Sequence, residues 1–206
     1  MRLLANIISG MFHPLLMVTY GLILAFSFTY LVIYPPMMKL LLVGGTFLST
    51  AVIPGIFLFF MVKSGAATDM ELSNRRERVL PYLVFISSVV VCAFYMIKMM
   101  MPFWFVSLLL GVCIALIIAL VINVFWKISA HAIGVGGLLG GVMGVAYTHV
   151  MNPYWFFIFM FIVVGVVGSS RIYLEKHTPM QVFAGYILGF GCTFVASILS
   201  YIYLFI

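Results

Sequence analysis

Long apolar runs alternate with short junctions along the whole chain. A helix needs about 20 residues to cross hydrocarbon, and runs of that order fall at 14–34, 40–62, 79–97, 102–126, 132–150, 153–168 and 179–206. The sixth is short, so the pattern predicts an all-α, polytopic bundle of six to seven transmembrane helices, with 1–206 as a single integral membrane domain. Several runs open at or near a Pro, where the missing N–H is one the first turn leaves unused anyway. Pro54 lies inside the second run and predicts a kink there. "GVGGLLGGVMG", 134–144, places small residues four apart, as at Gly137/Gly141 and Gly140/Gly144. That spacing predicts close helix packing in lipid; the alternative is a cavity wall shaped by missing side chains.

The junctions are of two kinds. "YPPMMK", "KMMMP" and "HVMNP" carry little charge. The opening stretch, "KSGAATDMELSNRRER" (63–78) and "WKISAH" (126–131) are polar, as is "SSRIYLEKHTPMQ" (169–181). Two crossings separate each polar junction from the next, so all emerge on one face of the bundle and the quiet turns emerge on the other. The polar face gathers Arg75, Arg76, Arg78, Ser129, His131, Arg171 and His177, together with the acids Asp69, Glu71, Glu77 and Glu175.

Composition strengthens the membrane reading: 66% of residues are hydrophobic and only 7% are charged, too little polar surface for a soluble domain. The opening "MRLLANIISGMFHPLL" has no small-residue cleavage site, so no cleavable signal peptide is expected. The net charge of +6 is spread over short junctions. It offers no basic block for nucleic acid and suits orientation in the bilayer, anionic headgroups or a phosphorylated substrate. Cys92, Cys113 and Cys192 sit inside apolar runs and read as small hydrophobes.

Lys63, Lys127, Lys176 and Asp69 read as solvated loop residues. His131 and His177 read differently, because each stands at a helix start beside another hydrogen-bonding residue. Two imidazoles and an Arg converging at a membrane surface suit a phosphate ester. Arg171 with Arg75, Arg76 or Arg78 can clamp its oxygens, while Ser129 and the amides at the starts of the fifth and seventh spans, Ala130 among them, add donors. One His can attack phosphorus and the other can protonate the departing alcohol. This chemistry requires neither a metal nor a cofactor. His13, ahead of the first run, and His149, near the quiet face, fall outside the group.

The polar residues also carry a resemblance. "S-R-I-Y-L-E-K-H-T-P-M-Q", Ser170 to Gln181, resembles the third signature of the type 2 phosphatidic acid phosphatase family, S-R-x₅-H-x₃-D. "I-S-A-H", Ile128 to His131, is similar to the second, P-S-G-H, keeping Ser129 and His131 and placing Ala130 where the Gly stands. "R-R-E-R-V-L-P", Arg75 to Pro81, resembles the first, K-x₆-R-P, more loosely. The three stand in family order within 63–185. The resemblance implies a metal-independent lipid phosphatase of a bacterial inner membrane. In it His177 forms a phosphohistidine and His131 serves as the acid. Arg171 binds phosphate, assisted by Ser129 and Arg78.

One departure bears on activity: the family's final Asp is Gln181 here. Thr178-Pro179-Met180-Gln181 reads as a capping box with Thr178 at N-cap and Gln181 reaching back from N3. The alternative, compatible in part with the cap, is a Gln carbonyl that accepts the His177 N–H. A unit charge at about 4 Å is worth about 4 kcal/mol at an effective dielectric near 20, or about a thousandfold in rate. Two functions follow: a slow phosphatase of phospholipid or polyprenyl phosphates, or a relative that binds, senses or carries a phosphorylated lipid. A third reading is a structural protein whose polar face meets headgroups. Glu77 could restore the lost charge only through a contact made by the fold, and Glu175 only if its loop bends back.

Overall fold

In lipid a chain finds hydrogen-bond partners for its peptide groups only within itself, and the apolar runs accordingly form helices. The computed structural model describes residues 1–69, 72 and 74–204; Glu71 lies outside them. The helices are α1 (Arg2–Met11), α2 (Met17–Phe28), α3 (Pro36–Phe47), α4 (Ile53–Lys63), α5 (Val79–Lys98), α6 (Phe103–Phe125), α7 (Ala130–Thr148), α8 (Tyr154–Tyr173) and α9 (Pro179–Leu204). With α1 and α2 joined through a short 3₁₀ turn at Pro14–Leu16, and α3 and α4 through a π turn at Leu48–Val52, the described residues form seven segments long and apolar enough to span a membrane. The protein is an all-α, polytopic membrane bundle. Its outer surface bears the apolar side chains that lipid tolerates, Phe59, Phe94, Val121 and Phe161 among them.

Two boundaries correct the sequence pattern. The first apolar segment extends back to Arg2 as a separate helix, α1, broken at Phe12–His13 just before the run that starts at residue 14. Its polar residue Ser9 is buried against the bundle, so the segment is less apolar in sequence than in its exposed face, formed by Leu3, Leu4, Ile7 and Met11. The sixth run continues as helix through Ser169, Ser170 and Arg171 to Tyr173, because the Ser170 hydroxyl donates to the Val166 carbonyl at 2.8 Å and costs the helix no water. Pro54 cannot donate to the carbonyl four residues back, and the π turn just before it absorbs the mismatch. Hydroxyls of Thr46, Ser49 and Thr50 return hydrogen bonds to carbonyls in the same stretch.

The glycines of α7 serve two faces. Gly136 and Gly140 meet the α9 backbone and Gly144 the Ser197 side chain: a Cβ on Gly136 would stand 2.6 Å from the Tyr186 carbonyl oxygen, and one on Gly144 2.6 Å from the Ser197 Cβ. Gly189 on α9 answers with an equally close approach to Ile133. Gly137 and Gly141 have room for a methyl and instead line a cavity. Both readings of the glycine run hold, on adjacent faces of one helix.

The junctions meet as the counting of spans requires. On one face Arg75 Nη1 donates to the Phe125 carbonyl at 2.7 Å, Arg78 Nη1 to the Ile128 carbonyl at 2.8 Å, and the Ser129 amide to the Gln181 carbonyl at 3.3 Å. On the other, the Trp104 indole donates to the Tyr30 hydroxyl at 2.9 Å, and His149 packs its ring against both.

Candidate functional site

At the polar face the chain folds four buried ionisable side chains around one end of a cavity. Arg78 precedes α5, His131 sits in the first turn of α7, Arg171 in the last turn of α8, and His177 just before α9. All four line the cavity, together with Ala130. Its volume is about 200 Å³, and it runs between the helices toward Thr29, Trp104 and Met151 at the opposite face. Beyond its polar mouth the wall is mainly apolar, supplied by α2, α5, α6 and α7. Such a shape offers an anion one end and a hydrocarbon chain the other.

His177 is oriented by Gln181. The Gln181 Oε1 lies 3.1 Å from His177 Nδ1 and also accepts the Thr178 amide at 3.2 Å, while the Gln181 amide donates to Thr178 Oγ1 at 3.4 Å. The backbone donor identifies the oxygen end of the amide, so His177 Nδ1 carries a proton and Nε2 keeps its lone pair. The capping box and the imidazole partner are thus one arrangement sharing one oxygen. Burial, then the nearby Arg78 charge, pulls the His177 pKa down to about 3, with Lys127 and Arg171 acting in the same direction and the Gln181 bond opposing them. The ring is neutral across the physiological range.

His131 places Nε2 3.2 Å from the Ser9 carbonyl. A carbonyl only accepts, so Nε2 carries the proton and Nδ1 is the remaining acid–base position. Arg171, 2% exposed, donates from Nη1 to the Ser9 hydroxyl at 3.2 Å. Arg78, 4% exposed, spends Nε on the Leu72 carbonyl and Nη1 on that of Ile128, both at 2.8 Å. These bonds fix both guanidinium groups in place before any ligand arrives, which spares the entropy of ordering them.

Several expectations change. Arg75 is exposed, bonds the Phe125 carbonyl and does not line the cavity. It ties the start of α5 to the end of α6. Ser129 is fully buried as the N-cap of α7, its hydroxyl accepting the Ala132 amide at 3.4 Å; it shapes the site from behind. Glu77 accepts from the Thr68 amide and hydroxyl at 2.8 and 3.0 Å, so its charge goes to that loop. Glu175 is exposed at φ 56° in the turn that ends α8, where the Lys176 amide returns to the Arg171 carbonyl. Neither acid stands in for the missing Asp. Gln181 reaches the site through His177 alone.

The N-terminal helix supplies what the sequence reading missed. Ser9 touches both His131 and Arg171, and His13 meets the His131 ring edge-on, 5.4 Å between centroids, while lining the cavity. No local spacing in the opening stretch encodes these contacts, which form only as α1 folds against α8. Lys127 also belongs here. Loss of water, then the charges of Arg78, Lys176 and Arg171, hold its pKa below the usual lysine range, against a smaller opposing effect from Asp69. Like charges drawn this close create a field that favours an anion. Compared with known proteins, the chain matches no family model, no curated sequence and no solved structure, so the reading of this site stands on its own geometry and on the resemblance of its signatures.

Proposed function

We propose that the protein is a membrane-embedded phosphoric ester hydrolase acting on a lipid phosphate. The observation that carries this reading is the oriented, neutral His177 at the mouth of an apolar cavity shared with His131, Arg78 and Arg171. Phosphate oxygens lie against the two guanidinium groups, with Lys127 and Lys176 adding attraction. The Nε2 lone pair of His177 attacks phosphorus and forms a P–N bond as the ester P–O bond breaks. The leaving alkoxide takes a proton through Nδ1 of His131, which receives it from the bound phosphate monoanion. Water then attacks the phosphohistidine, giving its proton to His131 and releasing orthophosphate and free His177. The lipid tail occupies the apolar length of the cavity. Gln181 holds the His177 ring without supplying the negative charge that would stabilise it as positive charge develops, so turnover is slow.

Purified protein in detergent, offered phosphatidate and isoprenyl mono- and diphosphates, is expected to release inorganic phosphate and to pass through an acid-labile phosphoprotein. His177→Ala abolishes both. Equal release from wild type and His177→Ala overturns the proposal. The neutral residue at position 181 favours one further reading, a site that binds or carries a lipid phosphate without cleaving it. Lipid retained stoichiometrically, without turnover, and lost in Arg171→Ala would establish that reading in place of hydrolysis.

A further inference from the structure

The cavity below the four buried ionisable groups is long and narrow. It is lined on α7 from His131 to Ala146 and on α2 from Met17 to Thr29. At 1.5 Å per residue these stretches are about 22 Å and about 18 Å long. A water-sized group needs about 10–15 Å³ of such space, so about 200 Å³ holds roughly 13–20 of them. A methylene is close to water in size, and that many groups spread over such a length stand in single file. Leu108 and Val112 on α6 and Val142 on α7 keep accessible surface although each packs against the buried core. All three line the cavity, and that surface is its wall. The far end meets Trp104, in the first turn of α6 and 6% exposed. Its indole donates to the Tyr30 hydroxyl at 2.9 Å, and its ring meets those of Tyr30, Phe105 and His149 edge-on. A side chain held from so many directions makes a fixed floor.

We propose that the cavity is a ruler for its ligand: it seats one unbranched tail of about 16 carbons below the phosphate, and Trp104 sets the limit. The inference rests on the lipid-phosphate reading of the same site and narrows it by tail length. An extended hydrocarbon chain advances about 1.25 Å per carbon, from a bond of about 1.5 Å at a near-tetrahedral angle. The lined length of α7 therefore takes about 17 carbons, and the volume independently allows a similar number. A longer tail must displace the packed indole, and overfilling a packed interior is unfavourable. A shorter tail leaves the deep wall without contacts. A long polyprenyl tail does not fit.

The test offers the full-length protein an equimolar mixture of n-alkyl phosphates of about 8 to 24 carbons, a range that brackets the expected length. A sterol-based detergent keeps other alkyl chains out of the competition, and mass spectrometry identifies what is retained. Wild type is expected to retain tails of about 16 carbons most, with about fivefold less of those about four carbons longer. Leu108→Trp stands one turn above the floor and Val112→Trp two turns above it. Since a turn of about 5.4 Å takes about four carbons, they are expected to move the maximum about four and about eight carbons shorter. Retention in wild type that is flat or rises steadily with length overturns the ruler. So do plugged variants that lose all lengths equally while still folded, and the wild-type profile decides alone where a variant does not fold. Phosphate release is followed in parallel. A length maximum without release upholds the ruler and removes the hydrolase reading, whereas release without a maximum removes the ruler alone. No retention and no release of any alkyl phosphate removes both.

Discussion

A single oxygen at Gln181 closes the first turn of α9 and holds the tautomer of His177. A carboxylate in its place keeps both bonds and adds a charge that stabilises positive charge on the ring. Gln181→Glu preserves the side-chain length and sets an anion at a helix N-terminus, which is itself favourable. It is expected to raise turnover, with about a thousandfold as the ceiling for a unit charge at about 4 Å, and steady-state phosphate release checks it. No gain would mean that binding, not the charge on the nucleophile, limits the site. The pH dependence of stability follows from the same residue. His177 titrates near 3 in the folded protein against 6.5 in its absence, so the fold favours the neutral ring. Its contribution is complete above about pH 6.5 and is lost as pH falls toward 3. Melting temperature in detergent is therefore expected to drop between pH 7 and 4 more in wild type than in His177→Asn. Equal pH slopes in the two proteins would contradict this.

Helix α7 shows how one element divides its work by face. Its contact with α9 depends on glycine at 136, 140 and 144, and its cavity wall on glycine at 137 and 141. Gly140→Ala drives a methyl into the Phe190 backbone, which cannot turn away, and against the Thr193 hydroxyl, and is expected to lower stability by about 1–3 kcal/mol. Gly141→Ala meets the Leu108 side chain at 3.6 Å, an ordinary contact, and is expected to leave the melting temperature nearly unchanged. Thermal unfolding of the two variants side by side checks the division. The spans themselves were legible because hydropathy alone decides what lipid accepts. The exceptions were segments whose polar residues are satisfied inside the protein: Ser9 against Arg171, and Ser170 on its own helix. The convergence of Arg78, His131, Arg171 and His177 was legible from counting crossings and from the third signature. The fates of Arg75 and Ser129 were not, since a sequence does not tell a guanidinium that clamps an anion from one that caps a helix end, or a hydroxyl donor from an N-cap. His13 was invisible for a related reason: its approach to His131 depends on how α1 folds against α8, a contact no local spacing encodes.

At the scale of the molecule the remaining asymmetry is electrical. Eight of the ten Lys and Arg lie on the site face, but Arg78, Arg171, Lys127 and Lys176 belong to the proposed anion pocket and say little about insertion. Arg2, Lys63, Arg75 and Arg76 remain, against Lys39 and Lys98 at the other end of the bundle. Positive charge in short loops stays in the cytoplasm, and the excess survives the removal of site residues. The site is therefore expected to face the cytoplasm and to draw its lipid from the inner leaflet. A membrane-impermeant maleimide separates the alternatives in intact cells, using single reporter cysteines at exposed positions on the two faces after Cys92, Cys113 and Cys192 are replaced. Ala66→Cys, in the loop after α4, is expected to label only after lysis, and Val150→Cys, at the turn after α7, to label from outside. The reverse pattern would place the cationic pocket at the external surface against its own charge bias. That would assign the surplus of Lys and Arg to ligand attraction rather than to topology, making the anion-binding field of the face larger than the four buried groups alone account for.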